Sequence, residues 1–270
     1  MRWFALTVSY NGTDFGGWQI QNNAPSIQAR LIQAIEQATG ESVKIRGSGR
    51  TDAGVHAEAQ IVSLALERWR APTDRLVPAI NRFLPPTIVV RGIENTVPGF
   101  DPVRNATSKR YRYEIWSSRL GDPMRYPFHW WIPRKLDIDR MRDAAQYLIG
   151  LHDFKAFETL GSPRRTSVRH VYALDIDSYD RWEGKVIGIE IEANGFLYNM
   201  VRNIVGALVA IGSGRFDPKW METTRDSLVR KSDSQTAPAQ GLCLMRVHYP
   251  DHLFPDRLPT HSGEGQSDLA

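Results

Sequence analysis

The stretch Gly47-Ser-Gly-Arg-Thr-Asp-Ala-Gly-Val-His-Ala57 places one carboxylate, Asp52, in a loop whose glycines disfavour a regular helix or strand. Arg50 lies two residues before Asp52, so in an extended segment both side chains leave the same face. A cation in that position favours the ionised acid and can also hold a phosphate. Because an isolated Asp-Ala-Gly is more often a simple turn, the rest of the chain must decide whether Asp52 is functional.

The composition indicates a globular protein with a basic surface. The chain has 270 residues, enough for one large or two small domains, and its eight tryptophans predict a sizeable core. Net charge is +4, and basic residues cluster in two runs: Lys109, Arg110 and Arg112, and Arg164, Arg165 and Arg169. The first run alternates with Tyr111 and Tyr113, a pattern that suits a polyanion whose bases can stack. The alternative is a solvated charged face.

Several classes of protein are excluded by what the sequence lacks. Cys243 is the only cysteine, which excludes an intrachain disulfide and a cysteine-based zinc cluster. The apolar run at the start is too short for a signal peptide. Nothing approaches the roughly 20 apolar residues of a membrane span. We therefore expect a cytoplasmic protein that does not interact with membranes.

Hydrophobic periodicity predicts two similar successions of elements. The first consists of a strand at 3–10, a helix at 26–40, strands at 43–45 and 59–66, a helix at 73–83 and a strand at 88–93. The second consists of a strand at 111–117, a helix at 138–148, strands at 168–179 and 185–193, a helix at 196–211 and a strand at 242–249.

This order predicts an α+β protein made of two ferredoxin-like βαββαβ halves. Strands that follow one another without an intervening helix pair antiparallel, so the sheets should be mainly antiparallel. The predicted boundaries are 1–104 for the half with the Asp52 loop and 105–250 for the second half. Residues 251–270 are rich in Pro, Gly and Ser and lack periodicity, which predicts a disordered tail.

The loop around Asp52 resembles the active-site motif of the tRNA pseudouridine synthase A family, Gly-Arg-Thr-Asp-x-Gly-Val-His, at every position. Other blocks of that family recur in the same order over residues 1 to about 249. They are Tyr10-Asn11-Gly12, Gly17-Trp18-Gln19, Lys109-Arg110-Tyr111-Arg112-Tyr113, Leu151-His152-Asp153-Phe154 with Phe157, Phe196-Leu197, Met200-Val201-Arg202-Asn203, Ala237-Pro238-Ala239 and Gly241-Leu242.

The resemblance implies an enzyme that isomerises uridine to pseudouridine in the anticodon arm of tRNA, at positions 38 to 40. It implies two sheets that meet at a central cleft, and Asp52 as the nucleophile. A carboxylate can add covalently to a ring or sugar carbon and leave again, and the sequence leaves open whether Asp52 adds at C1′ or at C6. The reaction is an isomerisation, so we expect no cofactor and no metal.

The resemblance also assigns roles to other residues, each with a plainer alternative. Arg202 lies on an apolar segment, where an arginine either pairs with an acid or extends to the surface; the family arginine pairs with the catalytic aspartate. Tyr111 resembles the catalytic-site tyrosine that packs on the target base and serves in proton transfer or positioning, although strand tyrosines are often half-buried in a sheet. Arg50 resembles the arginine that replaces the extruded base, and a loop salt bridge is its alternative.

The remaining candidate residues bind or enclose the RNA. Lys109 and Arg110 are candidates for phosphate contacts in the first basic run. Leu242 and Phe157 are expected to form apolar walls of the site, and ordinary core packing explains them equally well.

One block departs from the family. Where members show Phe-His-Ala-Arg, this chain has Phe100-Asp101-Pro102-Val103, with Arg104 one place later. The departure concerns how the segment between the halves contacts RNA, and it leaves the predicted catalytic residues intact.

Two other functions remain open. A non-catalytic RNA-binding protein explains the basic and aromatic strand but gives the acid loop no purpose, and a related synthase acting on another RNA also fits. The resemblance further implies a homodimer in which one tRNA contacts both subunits. The aromatic run at 126–131 is a candidate for that contact, and filling the core of the second half is its alternative.

Overall fold

The computed structural model describes residues 1–159, 161, 166–230 and 233–257. The strands of this part are β1 (Arg2–Tyr10), β2 (Arg46–Gly47), β3 (His56–Leu66), β4 (Ile88–Asn95), β5 (Ser108–Ser117), β6 (Trp130–Ile132), β7 (Gly150–Asp153), β8 (Val168–Arg181), β9 (Gly184–Ala193) and β10 (Leu242–His248). Its α-helices are α1 (Ile27–Thr39), α2 (Leu76–Asn81), α3 (Ile138–Gln146), α4 (Met200–Gly212) and α5 (Trp220–Asp226).

Helix α1 shows how directly local sequence determines the first half. Ser26 caps the helix by accepting a hydrogen bond from the backbone N–H of Ala29, and Gly40 ends it in the left-handed conformation with φ 69°. The apolar residues at helical spacing, Ile27, Leu31 and Ile35, are fully buried. The predicted helix at 26–40 is therefore confirmed.

Each half has the strand order expected of a ferredoxin-like unit. In the first half β4, β1, β3 and β2 lie side by side, and in the second half the order is β10, β5, β9 and β8. If the four strands of each unit are numbered along the chain, both orders are 4-1-3-2. The pairing among these strands is antiparallel within each half. The α+β class and the two ferredoxin-like halves are confirmed.

The resemblance implied two sheets that meet at a cleft, and the structure corrects this in one respect: the two halves share one ten-stranded sheet. Strand β10 pairs parallel with the start of β3, where Cys243 lies opposite His56 and Leu244 opposite Ala57. Farther along, β3 pairs with β2 instead, through Val62 and Ser63. The loop at 48–55 leaves the sheet where β3 exchanges one neighbour for the other, so Asp52 lies at the junction of the halves.

Five further elements differ from the sequence prediction. Helix α4 begins at Met200 instead of residue 196, because Asn199 adopts the left-handed conformation with φ 58°. Strand β3 begins at His56, three residues earlier than predicted, and the short strands β6 and β7 with helix α5 were not predicted. These added elements belong to the second half.

One large buried cluster contains side chains of both halves. The aromatic run at 126–131 is divided between core and surface. His129 is 2% exposed, whereas Tyr126, Phe128 and Trp131 are 60%, 43% and 39% exposed. The run is therefore neither wholly a candidate dimer contact nor wholly part of the core.

The prediction of a disordered tail from residue 251 is wrong for its first part. Leu253 and Phe254 are buried in a small cluster with Ala5 and Phe100, and Arg257 forms an ion pair with Glu94 at 2.7 Å. The rest of the predicted tail, 258–270, lies outside the described residues. Among the helices of the described part, none has the length and hydropathy needed to cross a bilayer.

Candidate active site

Three glycines let neighbouring segments pack directly on the Asp52 loop. A side-chain carbon added to Gly12 would lie 2.1 Å from the carbonyl oxygen of Val55, and one on Gly17 would lie 2.6 Å from that of Thr51. Gly47 has the Trp18 ring in the corresponding position, at 2.6 Å. The blocks at 10–12 and 17–19 therefore support the loop, which explains why they accompany it in the sequence.

A buried polar network holds the same loop from beneath. Gln60, which is fully buried, donates to the carbonyl oxygen of Gly49 at 2.8 Å and accepts from the Ser48 hydroxyl. Tyr10 and Thr51 share a hydrogen bond of 2.8 Å between their hydroxyls. Because buried polar groups are costly unless they are paired, this network favours a single conformation on both sides of Arg50.

His56, the histidine of the motif, is a structural residue. Its Nδ1 accepts a hydrogen bond from the backbone N–H of Gly12 at 3.0 Å, so Nε2 carries the proton. Nε2 lies 2.8 Å from the carbonyl oxygen of Pro127 and 3.1 Å from that of Gln240. Burial lowers the pKa of His56, and the two backbone hydrogen bonds raise it. The neutral ring thereby joins the first half to two segments of the second.

Asp52 and Arg202 are brought together across the two halves, as the resemblance implied. The nearest atoms, Asp52 Oδ2 and Arg202 Nη1, are 3.7 Å apart, and the side chains are 34% and 18% exposed, respectively. That separation is within reach of charge attraction but longer than a hydrogen bond. The alternative in which Arg202 extends to the surface is not observed.

The environment of Asp52 changes its acidity in two opposing ways. Burial raises the pKa of the carboxyl, and the charge of Arg202 lowers it. Burial has the larger effect, so the pKa lies above its ordinary value. The sequence indicated only the effect of a nearby cation; burial outweighs it here, since Arg202 does not donate a hydrogen bond to the carboxylate.

Tyr111 forms an apolar wall of the site. It is 8% exposed and meets the edge of Phe196 with ring centroids 5.1 Å apart and planes at 86°. Burial raises the pKa of its phenol well above the usual value, and charge on Tyr10 and Asp52 raises it further, so the hydroxyl is neutral at physiological pH. Leu244 pairs with Tyr111 and Leu242 with Tyr113, which places Leu242 on the face that bears Tyr111.

The two basic residues that precede Tyr111 point in different directions. Lys109 donates from Nζ to the carbonyl oxygen of Ser48 at 2.6 Å and so contacts the Asp52 loop. Arg110 lies on the opposite face of the sheet because side chains alternate along a strand, and it pairs with Glu192 at 2.8 Å and with Glu190 at 3.3 Å. The structure does not bring Arg110 to the site, which corrects its assignment to substrate binding.

Arg50 is exposed, and no salt bridge to it is found in the part of the chain that the structure describes, which disfavours the loop salt bridge as an explanation. Phe157 is 1% exposed and belongs to the main core, so core packing accounts for it. The basic residues Arg164 and Arg165 lie outside the described residues.

The departure at 100–103 forms a tight turn. The Asp101 carboxylate accepts from the backbone N–H groups of Val103 and Arg104 at 2.9 and 3.1 Å. It also pairs with Arg46 at 2.5 Å. Arg46 belongs to β2, which leads into the Asp52 loop, so this segment contacts the loop's entry.

Three residues of the site were missed by sequence reasoning: Asn199, Phe196 and Gln60. Asn199 accepts a hydrogen bond from Arg202, Phe196 packs on Tyr111, and Gln60 supports the loop. Phe196 had a signal, because it belongs to the Phe-Leu block, and Asn199 lies between that block and the Met-Val-Arg-Asn block. Gln60 had a weaker one, as a polar residue on the buried face of a strand.

The chain is similar to several known proteins. A family model described as tRNA pseudouridine synthase matches residues 6–96 and 144–250. A tRNA pseudouridine synthase A from Pelobacter propionicus is 41% identical over 92% of this chain and 100% of its own length. One from Myxococcus xanthus is 37% identical over 97% of each chain. A solved H/ACA RNP bound to a substrate RNA containing 2′-deoxyuridine is 10% identical, with a TM-score of 0.33 over 76% of this chain and 44% of that one, a likeness too weak to support an argument.

Proposed function

We propose a function for this chain on the premise that it belongs to the tRNA pseudouridine synthase family. It is an isomerase that converts uridine to pseudouridine in tRNA, and the proposed targets are positions 38, 39 and 40 of the anticodon arm. The observation that supports this best is the pairing of Asp52 with Arg202 across the junction of the two halves, 1–104 and 105–250. A protein that only bound RNA would have no use for an acid held in this way.

Pseudouridine forms when the bond between C1′ and N1 breaks, the base turns, and C5 bonds to C1′ in place of N1. The C5 proton is then lost to solvent and N1 gains a proton, so atoms and charge balance without a cofactor. We propose that a carboxylate oxygen of Asp52 is the nucleophile. Arg202 supplies positive charge without a direct hydrogen bond, which leaves both carboxylate oxygens available.

The neighbouring residues support a role in holding a uridine that has left its stack. Extruding a base costs a few kcal/mol. Arg50 is an exposed residue of the loop, and its guanidinium plane can fill the space that the base vacates. Tyr111 and Phe196 offer an apolar wall on which the extruded base can pack. The ammonium of Lys109, beside Ser48, is placed to contact RNA phosphate.

The positional proposal predicts a defined pattern of modification. Purified protein incubated with unmodified tRNA transcripts that carry uridine at 38, 39 or 40 is expected to produce pseudouridine there and at no other position. The products are read by chemical mapping at single-nucleotide resolution, with transcripts lacking uridine at 38–40 as the control. Modification confined to other positions would contradict the target assignment while leaving the reaction class intact.

We further propose a cytoplasmic homodimer. Tyr126, Phe128 and Trp131 are exposed and lie within six residues of one another, and exposed aromatic side chains that cluster in this way are typical of association sites. Light scattering at micromolar concentration is expected to give twice the mass of 30.7 kDa. A fully active monomer would contradict the dimer and leave the active-site assignment unchanged.

A further inference from the structure

Arg202 is oriented by two neutral acceptors instead of by Asp52. Its Nε donates to the carbonyl oxygen of Ala237 at 2.7 Å, and its Nη1 donates to Asn199 Oδ1 at 2.9 Å. The backbone N–H of Ala237 in turn donates to the carbonyl oxygen of Arg202 at 3.1 Å. The two hydrogen bonds that the guanidinium donates are shorter than its 3.7 Å separation from Asp52. Its orientation is therefore kept whether or not Asp52 is charged.

Asn199 uses its side chain in an unusual way for its position. It precedes α4, where an asparagine commonly caps the helix, but its side chain makes no capping bond. The residue adopts φ 58°, a conformation that asparagine tolerates and glycine adopts freely. The backbone conformation alone therefore does not require an asparagine at position 199. Because the side chain does not cap the helix, its amide oxygen can accept the hydrogen bond from Arg202.

The amide of Asn199 is itself held in place. Its Nδ2 donates to Thr159 Oγ1 at 3.2 Å, which fixes Oδ1 as the atom that faces Arg202. Asn203 donates to the same hydroxyl at 3.3 Å and to the carbonyl oxygen of Phe157 at 2.8 Å. Because these partners are buried or half-buried, the amide cannot rotate without losing hydrogen bonds.

We propose that Asn199 is a positioning residue that holds the Arg202 guanidinium near Asp52 while preventing a direct hydrogen bond between them. A bidentate arginine pairs strongly with a carboxylate and would occupy the oxygens that must attack. Held at its present distance, Arg202 stabilises the charge of Asp52 and leaves its lone pairs free. This inference rests on the proposed function, in which Asp52 is the nucleophile.

The test compares two substitutions that alter Arg202 in opposite ways. Asn199→Gly keeps the backbone conformation and releases Arg202, which can then bond directly to Asp52. Asn199→Asp adds a carboxylate that neutralises Arg202. Leu228→Gly is the matched control, because Leu228 also has positive φ, 56°, and follows α5. Each protein is assayed on whole tRNA for kcat, KM and the pH dependence of kcat/KM, with thermal melting as a check of folding.

The expected result for Asn199→Gly is a kcat lowered by about 10- to 100-fold, the scale of a misplaced catalytic group, with KM within about twofold. Leu228→Gly should keep kcat within about twofold. Among the described residues, the groups whose charges act across the site are Asp52 with Arg202, Tyr111 with Asp52 and Tyr10, and Tyr113 with Arg202. The acid limb of the profile should move to lower pH in Asn199→Gly, where Arg202 binds Asp52, and to higher pH in Asn199→Asp.

If Asn199 had a purely structural role, Asn199→Gly and Asn199→Asp would both lower activity without moving the acid limb of kcat/KM in opposite directions. That result would overturn the proposal. So would an Asn199→Gly enzyme with the kcat of the wild type. If the glycine variant does not fold, the nearly isosteric Asn199→Asp decides through its acid limb alone. Failure of the proposed function is distinguishable, because the wild-type protein would then form no pseudouridine.

Discussion

Asp52→Asn is expected to lower the rate of pseudouridine formation by at least about 10⁴-fold, the scale on which removal of a nucleophile acts in covalent catalysis. The amide has nearly the same shape as the carboxylate but lacks its nucleophilic charge. Affinity for tRNA should change little, because the RNA contacts proposed for Arg50 and Lys109 are retained. The measurement is the rate of tritium release from tRNA labelled at C5 of uridine, paired with binding by filter retention.

Asp52→Asn should not lower the stability of the protein, in contrast to a substitution that damages the core. The pKa of Asp52 is raised on folding, so stability is lost as pH rises through the interval between the unfolded and folded pKa values. At neutral pH the ionised carboxylate therefore opposes folding. Removing that charge should leave the melting temperature unchanged or higher. A clear fall in melting temperature would show that inactivity reflects unfolding.

Arg202→Met is expected to lower kcat by about 10²- to 10³-fold, because it removes a cation that stabilises charge in the reacting site. It also removes the positive charge that lowers the pKa of Asp52. The acid limb of kcat/KM should therefore move to higher pH. Arg202→Lys is the matched control: it keeps the charge without the planar fork, so its limb should move less.

The accompanying loss of stability should be moderate. Removing one member of a fully buried pair costs about 3–5 kcal/mol, but Asp52 is 34% exposed and water offsets part of that cost. We therefore expect a smaller free-energy change than that range, measured by denaturant unfolding. An Arg202→Met enzyme with wild-type activity and an unmoved acid limb would contradict the pairing.

Local sequence predicted the elements whose ends are marked by side chains. Helix α1 has a serine cap at Ser26 and a glycine stop at Gly40, and its apolar residues recur at helical spacing. Helix α4 was predicted four residues too long because hydropathy continues back to Phe196, whereas Asn199 leaves the helical conformation. A hydrophobic pattern does not indicate that an asparagine will adopt a positive φ.

Long-range pairing could not be predicted in the same way. The parallel contact of β10 with β3 joins residues such as Cys243 and His56, which are distant in sequence and have no complementary pattern. That contact joins the strands of the two halves into one sheet. The meeting of Asp52 with Arg202 was implied only by the resemblance. In contrast, the alternation of β5 was available from sequence, and it would have separated Lys109 from Arg110.

The most direct test of the central claim is a single-turnover reaction with enzyme in excess over tRNA labelled with tritium at C5 of uridines 38 to 40. Wild-type protein should release the label and form one pseudouridine for each tritium lost. Asp52→Asn protein that binds the same tRNA should release none above background. Release at the wild-type rate by pure Asp52→Asn protein, with deamidation excluded by mass spectrometry, would contradict Asp52 as the nucleophile.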